Sequence, residues 1–487
     1  MKIHSMKNIQ HIVINLCAAA VCSTLAHAAI ADSAAPVDTA TLTRIRDAAM
    51  SSDYPFDRLE ELSDQIGPRL SGSPGAEAAV ALIADDMRQI GMQVTLQPVK
   101  APHWVRGVES AELVDYAKRP AGITQKVVLT ALGGSASTPA QGLTLPVLVF
   151  HSMDELNAHA AEVKGRIVLF DVAFDEHLAE NGLAGNAYGE AGMYRFVGPS
   201  TAAKLGAAAV LVRSVGSPDF RLPHTGTTIW GKDVKPIPAA AVTAEDAMLM
   251  TRLSAKGEIK MHLTLTPQTL PDVDSHNVIA DITGTDKPQE VVVISGHMDS
   301  WDLATGATDD GAGLVVAMGV ADVFKKLGLH PRRTVRIIGW MNEENGGRGG
   351  KAYFDANKDQ LKNQVATIES DTGAGRPLGL IASIANRDEK TLAPLKSLLR
   401  SIGTPVLQIR EHSSGADVEL MTEQGVPSFE PLLDIRNYFS YHHTPADTLD
   451  KVNPENLRRQ VAMFAMLTWY LAEMPDTLQQ LPAAKAE

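Results

Sequence analysis

Four short, mostly apolar segments stand out in the second half of the chain: Glu290–Ile294, Val335–Trp340, Val365–Glu369 and Ser428–Leu433. Runs rich in Val and Ile, without the strict alternation of a half-exposed strand, predict strands buried on both faces. Apolar positions recur at helical spacing over Gly311–Leu327, Gly349–Asn357, Leu392–Ile402, Asp417–Gln424 and Asn453–Ala472. Strands that alternate with helices predict an α/β fold whose sheet is mostly parallel and covered on both sides.

The first half reads differently. Leu59, Leu62 and Ile66 share one face of a helix that begins at Tyr54-Pro55-Phe56, and the run Gly67–Gly75 breaks it. A second helix turns Val80, Ile83, Met87 and Ile90 inward, and Met92–Leu96 alternates as a strand. From about Leu145 to Leu265 the pattern suggests a separate unit. Pro146–Phe150 and Gly165–Phe170 are short apolar strands. Thr201–Gly206 opens a helix that feeds Ala207–Val212, and Thr243 is placed to cap another. Its loop Pro223–Gly226 carries His224, an isolated loop histidine of a kind more often solvated than functional.

Composition narrows the classes. A chain of 487 residues is long enough for two or three domains. Its formal net charge of −13 argues against a nucleic-acid partner and against a polybasic membrane contact. Lys2 and Lys7, the apolar stretch Ile12–Leu25 and the small-x-small site Ala26-His27-Ala28 read as a signal peptide over 1–28. That stretch is too short to span a membrane, and no later one is apolar enough. Residues 29–38 then read as a flexible leader. Cys17 and Cys22 both lie in the signal segment, so the processed chain has no thiol. The expectation is an exported protein, periplasmic or secreted.

The chemistry gathers after the strands. His297, Asp299 and Asp309 follow Glu290–Ile294, in the stretch GHMDSWDLATGATDDGAG. Glu343 and Glu344 follow Val335–Trp340, and Asp371 follows Val365–Glu369. Asp417 and the pair His442-His443 come later. The carboxyl edge of an α/β sheet is where such enzymes present ligands. Histidines with carboxylates and no cysteine form a nitrogen/oxygen set suited to zinc and similar divalent ions. Neighbouring side chains at a strand end diverge, so one of Glu343 and Glu344 can bind metal while the other faces substrate as a base. No Gly-x-Ser-x-Gly elbow is present, so a serine nucleophile of that type is excluded.

The segments GHMDSWD, GATDDGAG, WMNEENGG, ESDTG and HHTPADT resemble the signature of the co-catalytic zinc exopeptidases, a family of secreted aminopeptidases and glutamate carboxypeptidases. IGPRLSGSPG, LVRSV, SPDFRLPHTG, IPAAAVTAEDA and VISGHMDSWD extend the resemblance to the plasma glutamate carboxypeptidase (carboxypeptidase Q) group, over nearly the whole chain after the signal segment. The resemblance implies an α/β sandwich with a mixed, mostly parallel sheet. The peptidase domain would comprise 39–130 and 270–487, with a protease-associated domain inserted at 131–269. It implies two zinc ions bridged by Asp309, one completed by His297 and Asp371, the other by Glu344 and His443. Glu343 would be the general base, and Asp299 would hold the imidazole of His297. It also implies a cis Asp309–Asp310 peptide and a homodimer. Many relatives carry Tyr where this chain has His442, which leaves the oxyanion partner open. The arginine cluster that grips a terminal glutamate in some relatives is not recognisable. Asp417 is read as lining the substrate pocket or capping a helix. The expected activity is hydrolysis of small peptides, dipeptides with free termini foremost. The alternatives are an aminopeptidase for longer peptides or a non-catalytic binding protein on the same fold. A related single-zinc cyclotransferase is disfavoured by the insertion.

Overall fold

The computed structural model describes residues 37–216, 220–411 and 415–484. The expected signal segment and most of the leader lie outside these, as do Ser217–Asp219 of the His224 loop and His412–Ser414 before Asp417. Val37 onward forms one compact unit containing two eight-stranded sheets.

The first sheet is built around Lys287–His297. Its alternating residues divide the molecule, as the two-residue period of a strand requires. Val292 and Ile294 face a large core with the helices Ala312–Lys326 and Pro454–Glu473. Val293 faces the opposite core with Trp340, Tyr353 and Met421. Burial on both faces explains why this strand reads as a continuous apolar run. Arg333–Trp340 and Gln364–Glu369 flank it, both parallel. Ser428–Leu433 follows in parallel, then Pro377–Ser383 antiparallel, then Val406–Ile409. On the other side Gln268–Ile282 and Gln93–Val105 add antiparallel. The sheet is mixed, with four of its seven neighbour pairs parallel.

Glycines let the loops at the carboxyl edge close on this sheet. A Cβ at Gly313 would fall 1.8 Å from the carbonyl oxygen of Ser370 and 2.4 Å from Asp310 Oδ1. The first turn of Ala312–Lys326 can therefore lie against the strand end that precedes Asp371 only because it carries glycine.

The second sheet draws its strands from Glu109–Asp115 through Ile259–Leu265. It has cores of its own. Two features fasten it over the first sheet. Arg106, nearly buried, donates to Asp302, Glu109, Thr130 and the Ala131 carbonyl, and to Thr225 Oγ1 at 3.1 Å. Phe174, Ala184 and Ala187 pack against Tyr438 and Phe439, just before the His442-His443 pair.

Candidate metal centre

His297 is the last residue of its strand and is 1% exposed. Its Nδ1 lies 2.9 Å from the carbonyl oxygen of Asp299. A carbonyl can only accept, so Nδ1 carries a proton, and in the neutral imidazole Nε2 is then the lone-pair nitrogen. Nε2 is 3.5 Å from Asp309 Oδ1 and 3.5 Å from Asp371 Oδ1, and makes no hydrogen bond. The other oxygen of Asp309, Oδ2, lies 3.0 Å from His443 Nε2 and 3.3 Å from His442 Nε2. His443 Nε2 is 3.1 Å from Glu344 Oε2. The five ligand-type residues thus converge, and Asp309 sends one oxygen to each half. The Asp309–Asp310 peptide is cis.

The loops that bring them together are tied by polar groups. Asp447 accepts from Thr308 N at 2.8 Å, Thr308 Oγ1 at 2.7 Å and Asp309 N at 3.1 Å. Asp310 accepts from His297 N and Gly313 N. Arg69, fully buried, donates to the carbonyls of Met298, Gly67 and Gly306. The sequence marks none of these three for a role, although Asp447 stands in HHTPADT, Asp310 in GATDDGAG and Arg69 in IGPRLSGSPG. Their partners are distant in the chain, and no local pattern marks them.

Glu343 and Glu344 diverge. The Glu344 side chain is 2% exposed, and its Oε1 accepts from Trp301 N. The Glu343 side chain is 23% exposed, with Oε2 4.0 Å from His297 Nε2. Asn342 turns the chain between strand and glutamates with φ of 73°, a left-handed conformation that Asn tolerates.

Asp299 holds His297 through its carbonyl rather than its carboxylate. Oδ1 is 3.8 Å from Nδ1 and accepts instead from Asn342 N at 2.8 Å and Glu343 N at 3.1 Å. The carboxylate therefore positions the glutamate turn. His442 stacks on His443 with ring centroids 3.6 Å apart, within reach of Asp309 itself. Asp417 caps no helix: only Glu419–Thr422 is helical there, and Val418 precedes it. Asp417 is 3% exposed, and neither carboxylate oxygen has a partner among the described residues. The neighbouring Glu369 carboxylate accepts from the Asp417 and Val418 amides. His224 is not solvated either. It is 2% exposed, and Thr225 N donates to the His443 carbonyl at 2.9 Å. Burial, then His443 and Arg195, holds the His224 imidazole down at about 3, so it is neutral.

The electrostatics show what the cluster lacks. Burial, and then Asp309, pushes Glu344 up to about 7, while burial and then Asp371 pushes Glu369 up to about 8. Burial drives Glu343 and Asp417 well above the ordinary carboxylate range. Burial also acts to raise Asp309, but His442, His297 and His443 outweigh it and hold the carboxyl well below its usual value. So many acidic groups withdrawn from water repel one another and favour the protonated state. Cations among them remove that penalty. His297 Nε2 and Asp309 Oδ2, which make no well-formed hydrogen bond among the described residues, are the donor types a divalent ion takes. Among the described residues, two overlapping groups have ligand atoms close enough to hold an ion: His297, Asp309 and Asp371, and Asp309, His442 and His443.

Comparison with known proteins identifies the family. The profile of Peptidase family M28 matches residues 277–468. Human carboxypeptidase Q is 36% identical over 425 residues, which cover 87% of this chain and 86% of that protein. The crystal structure of a peptidase M28 precursor from Shewanella amazonensis superposes with a TM-score of 0.85 at 34% identity, over 91% of this chain and 98% of that one. BSAP, a zinc aminopeptidase from Bacillus subtilis, shares the fold, with a TM-score of 0.61 at 21% identity over 85% of this chain and 93% of its own. The chain belongs to peptidase family M28.

Proposed function

We propose that the chain is an exported zinc exopeptidase with two metal ions, which hydrolyses small peptides and foremost dipeptides with free termini. The observation that carries this reading is Asp309, whose two oxygens face two separate ligand sets while Glu343 stands beside them unclaimed. His297 and Asp371 would hold one zinc, Glu344 and His443 the other, with Asp309 between. Bound there, zinc supplies the positive charge that polarises a peptide carbonyl and acidifies water. Glu343 takes the proton of the attacking water and returns it to the leaving amine. Asp299 fixes that glutamate through its backbone amide. His442, its Nε2 beside Asp309, is placed to donate to the developing oxyanion.

Asp417 supports the free amino end. A buried carboxyl without a partner is costly, and a substrate ammonium would relieve it. The inserted unit read at 131–269, to whose sheet Glu109–Asp115 and Gln125–Val127 also pair, would narrow the cleft against folded proteins. Export rests on the signal segment, and no helix among the described residues is long and apolar enough to cross a membrane. The retained ligand set together with Glu343 speaks against a non-catalytic binding protein.

The test compares one dipeptide with its N-acetylated and C-amidated forms. Both caps are expected to lower kcat/KM by at least about tenfold, the order of one charge-assisted hydrogen bond. Equal rates on all three, or efficient internal cleavage of a long unstructured protein, contradict the reading. Loss at the acetyl cap alone would point instead to an aminopeptidase for longer peptides.

A further inference from the structure

The two halves of the metal centre are built differently. His297 ends the strand Lys287–His297, and Asp371 follows Gln364–Glu369. The bonds that fix His297 come from the Asp299 carbonyl and the Asp310 carboxylate, both in first-sheet loops. The half at Glu344 and His443 leans on the second sheet instead. Glu344 is held by the Trp301 amide at 3.1 Å. The Trp301 ring is 4% exposed and shares a core with Leu113, Leu169 and Leu211 of that sheet. It leaves no room at Gly133, where a Cβ would fall 2.3 Å from it. It also stands edge-on to His443, with ring centroids 5.8 Å apart. His443 itself has φ of 59°. That left-handed conformation is unfavourable for a histidine and persists only where neighbours fix it. One such neighbour is Thr225, in the loop between Ala209–Arg213 and Ala239–Val242 of the second sheet. Its amide donates to the His443 carbonyl at 2.9 Å.

Arg106 joins these two supports. It lies where the chain crosses from Gln93–Val105 of the first sheet to Glu109–Asp115 of the second. Gly107 turns the crossing with φ of 78°, and a Cβ there would meet the Thr266 carbonyl oxygen of the return crossing at 2.3 Å. Arg106 Nε donates to Asp302 Oδ2 at 2.8 Å and Nη2 donates to Oδ1, a two-pronged pair with the residue next to Trp301. Nη2 also donates to Thr225 Oγ1 at 3.1 Å. The guanidinium carbon lies 5.1 Å from the Trp104 ring centroid. A planar, permanently charged fork can hold a carboxylate and a hydroxyl at fixed angles at once. Among the described residues Arg106 bonds to no metal ligand. Its partners are each one step from one: Asp302 adjoins Trp301, which holds Glu344, and Thr225 holds His443.

We propose that Arg106 is a positioning residue for one of the two metal ions: it sets Glu344 and His443 relative to each other, and so makes the second sheet a structural part of that half of the centre but not of the half at His297 and Asp371. This rests on the two-metal reading above.

The experiment titrates cobalt(II) into the metal-free protein and follows the visible absorption of the bound ion. Wild type is expected to fill in two steps. Glu344→Gln marks the step that belongs to the Glu344 and His443 half. Arg106→Gln is expected to weaken that same step about 10–100-fold, the loss typical of a partner behind the ligands. The other step should move by no more than about twofold. Arg106→Lys keeps the charge but not the fork and should fall between. Asp302→Asn should weaken the same step, and adding it to Arg106→Gln should weaken it little further, because both remove one contact. Asp302 is the more open partner, with its side chain 25% exposed, so this variant decides the matter if Arg106→Gln fails to fold. Arg213→Gln breaks a pair with Asp171 inside the second sheet and is the control for general loosening; both steps should stay in place. Both steps weakened together by Arg106→Gln, a Glu344 step unchanged in Arg106→Gln or Asp302→Asn, or an equal loss in Arg213→Gln would overturn the proposal. A single step in wild type would contradict the two-metal reading instead. Arg106 then stands if Arg106→Gln and Glu344→Gln both weaken that step, and falls if they do not.

Discussion

Replacing Glu343 by Gln is expected to lower kcat about a thousandfold and to leave metal content unchanged. Glutamine keeps the size of the side chain and cannot carry the proton, and a positioned general base is worth about 10²–10⁴ in rate. The geometry separates this glutamate from the ligands. Its side chain is the more open of the adjacent pair, at 23% against 2%, and its backbone is fixed by Asp299. Glu344→Gln is expected to do the reverse. Its Oε2 lies 3.1 Å from His443 Nε2, and its other oxygen is held by Trp301 N. Loss of that charge should weaken metal binding at the His443 side, and activity should recover with added zinc. Metal titration and steady-state rates on both variants check this. A Glu343→Gln protein that loses metal, or a Glu344→Gln protein that keeps metal but not turnover, would exchange the two roles.

Asp309→Asn is expected to abolish detectable turnover. No other residue of the cluster faces both halves, with Oδ1 at 3.5 Å from His297 and Oδ2 at 3.0 Å from His443. Asparagine keeps the outline but sets a neutral oxygen towards one half and an N–H donor towards the other. A donor cannot ligate, and the charge that balances two cations is gone. Metal affinity at one half or both should fall by more than the about 10–100-fold typical of losing a partner outside the ligand set. Metal titration against wild type reads that loss. Near-normal activity in this variant would remove Asp309 from the centre of the account.

The ligands were legible because strand and chemistry coincide in sequence. Lys287–His297 is buried on both faces from Val292 onward, so its apolar run announces the strand, and the His that ends the strand announces the site. The outer strands gave no such signal. Pro377–Ser383 begins with proline and contains glycine, and Val406–Ile409 is half-exposed along its four residues. Only the first part of Gln93–Val105 was legible, because Pro98 and Pro102 interrupt the alternation. The helix expected over Asp417–Gln424 shrinks to Glu419–Thr422, because the Asp417 side chain turns into the interior instead of capping.

Within the site, residue types were readable and supporting bonds were not. Ser71 donates to Asp299, a contact across 228 positions, and no local spacing encodes it. The carbonyl of Asp299, not its carboxylate, fixes His297, and a backbone atom has no residue-type signature. The approach of His224 from the second sheet is a tertiary fact. The sequence places it in an ordinary loop.

The central claim is that Asp309 joins two metal sites in one centre. Metal content per chain, measured by elemental analysis on active protein dialysed against metal-free buffer, tests it most directly. The account predicts about two zinc ions per chain in wild type, as in other two-metal sites, and at most about one in Asp309→Asn. Fully active wild type that retains one ion or none, or an Asp309→Asn protein that retains both, would contradict it.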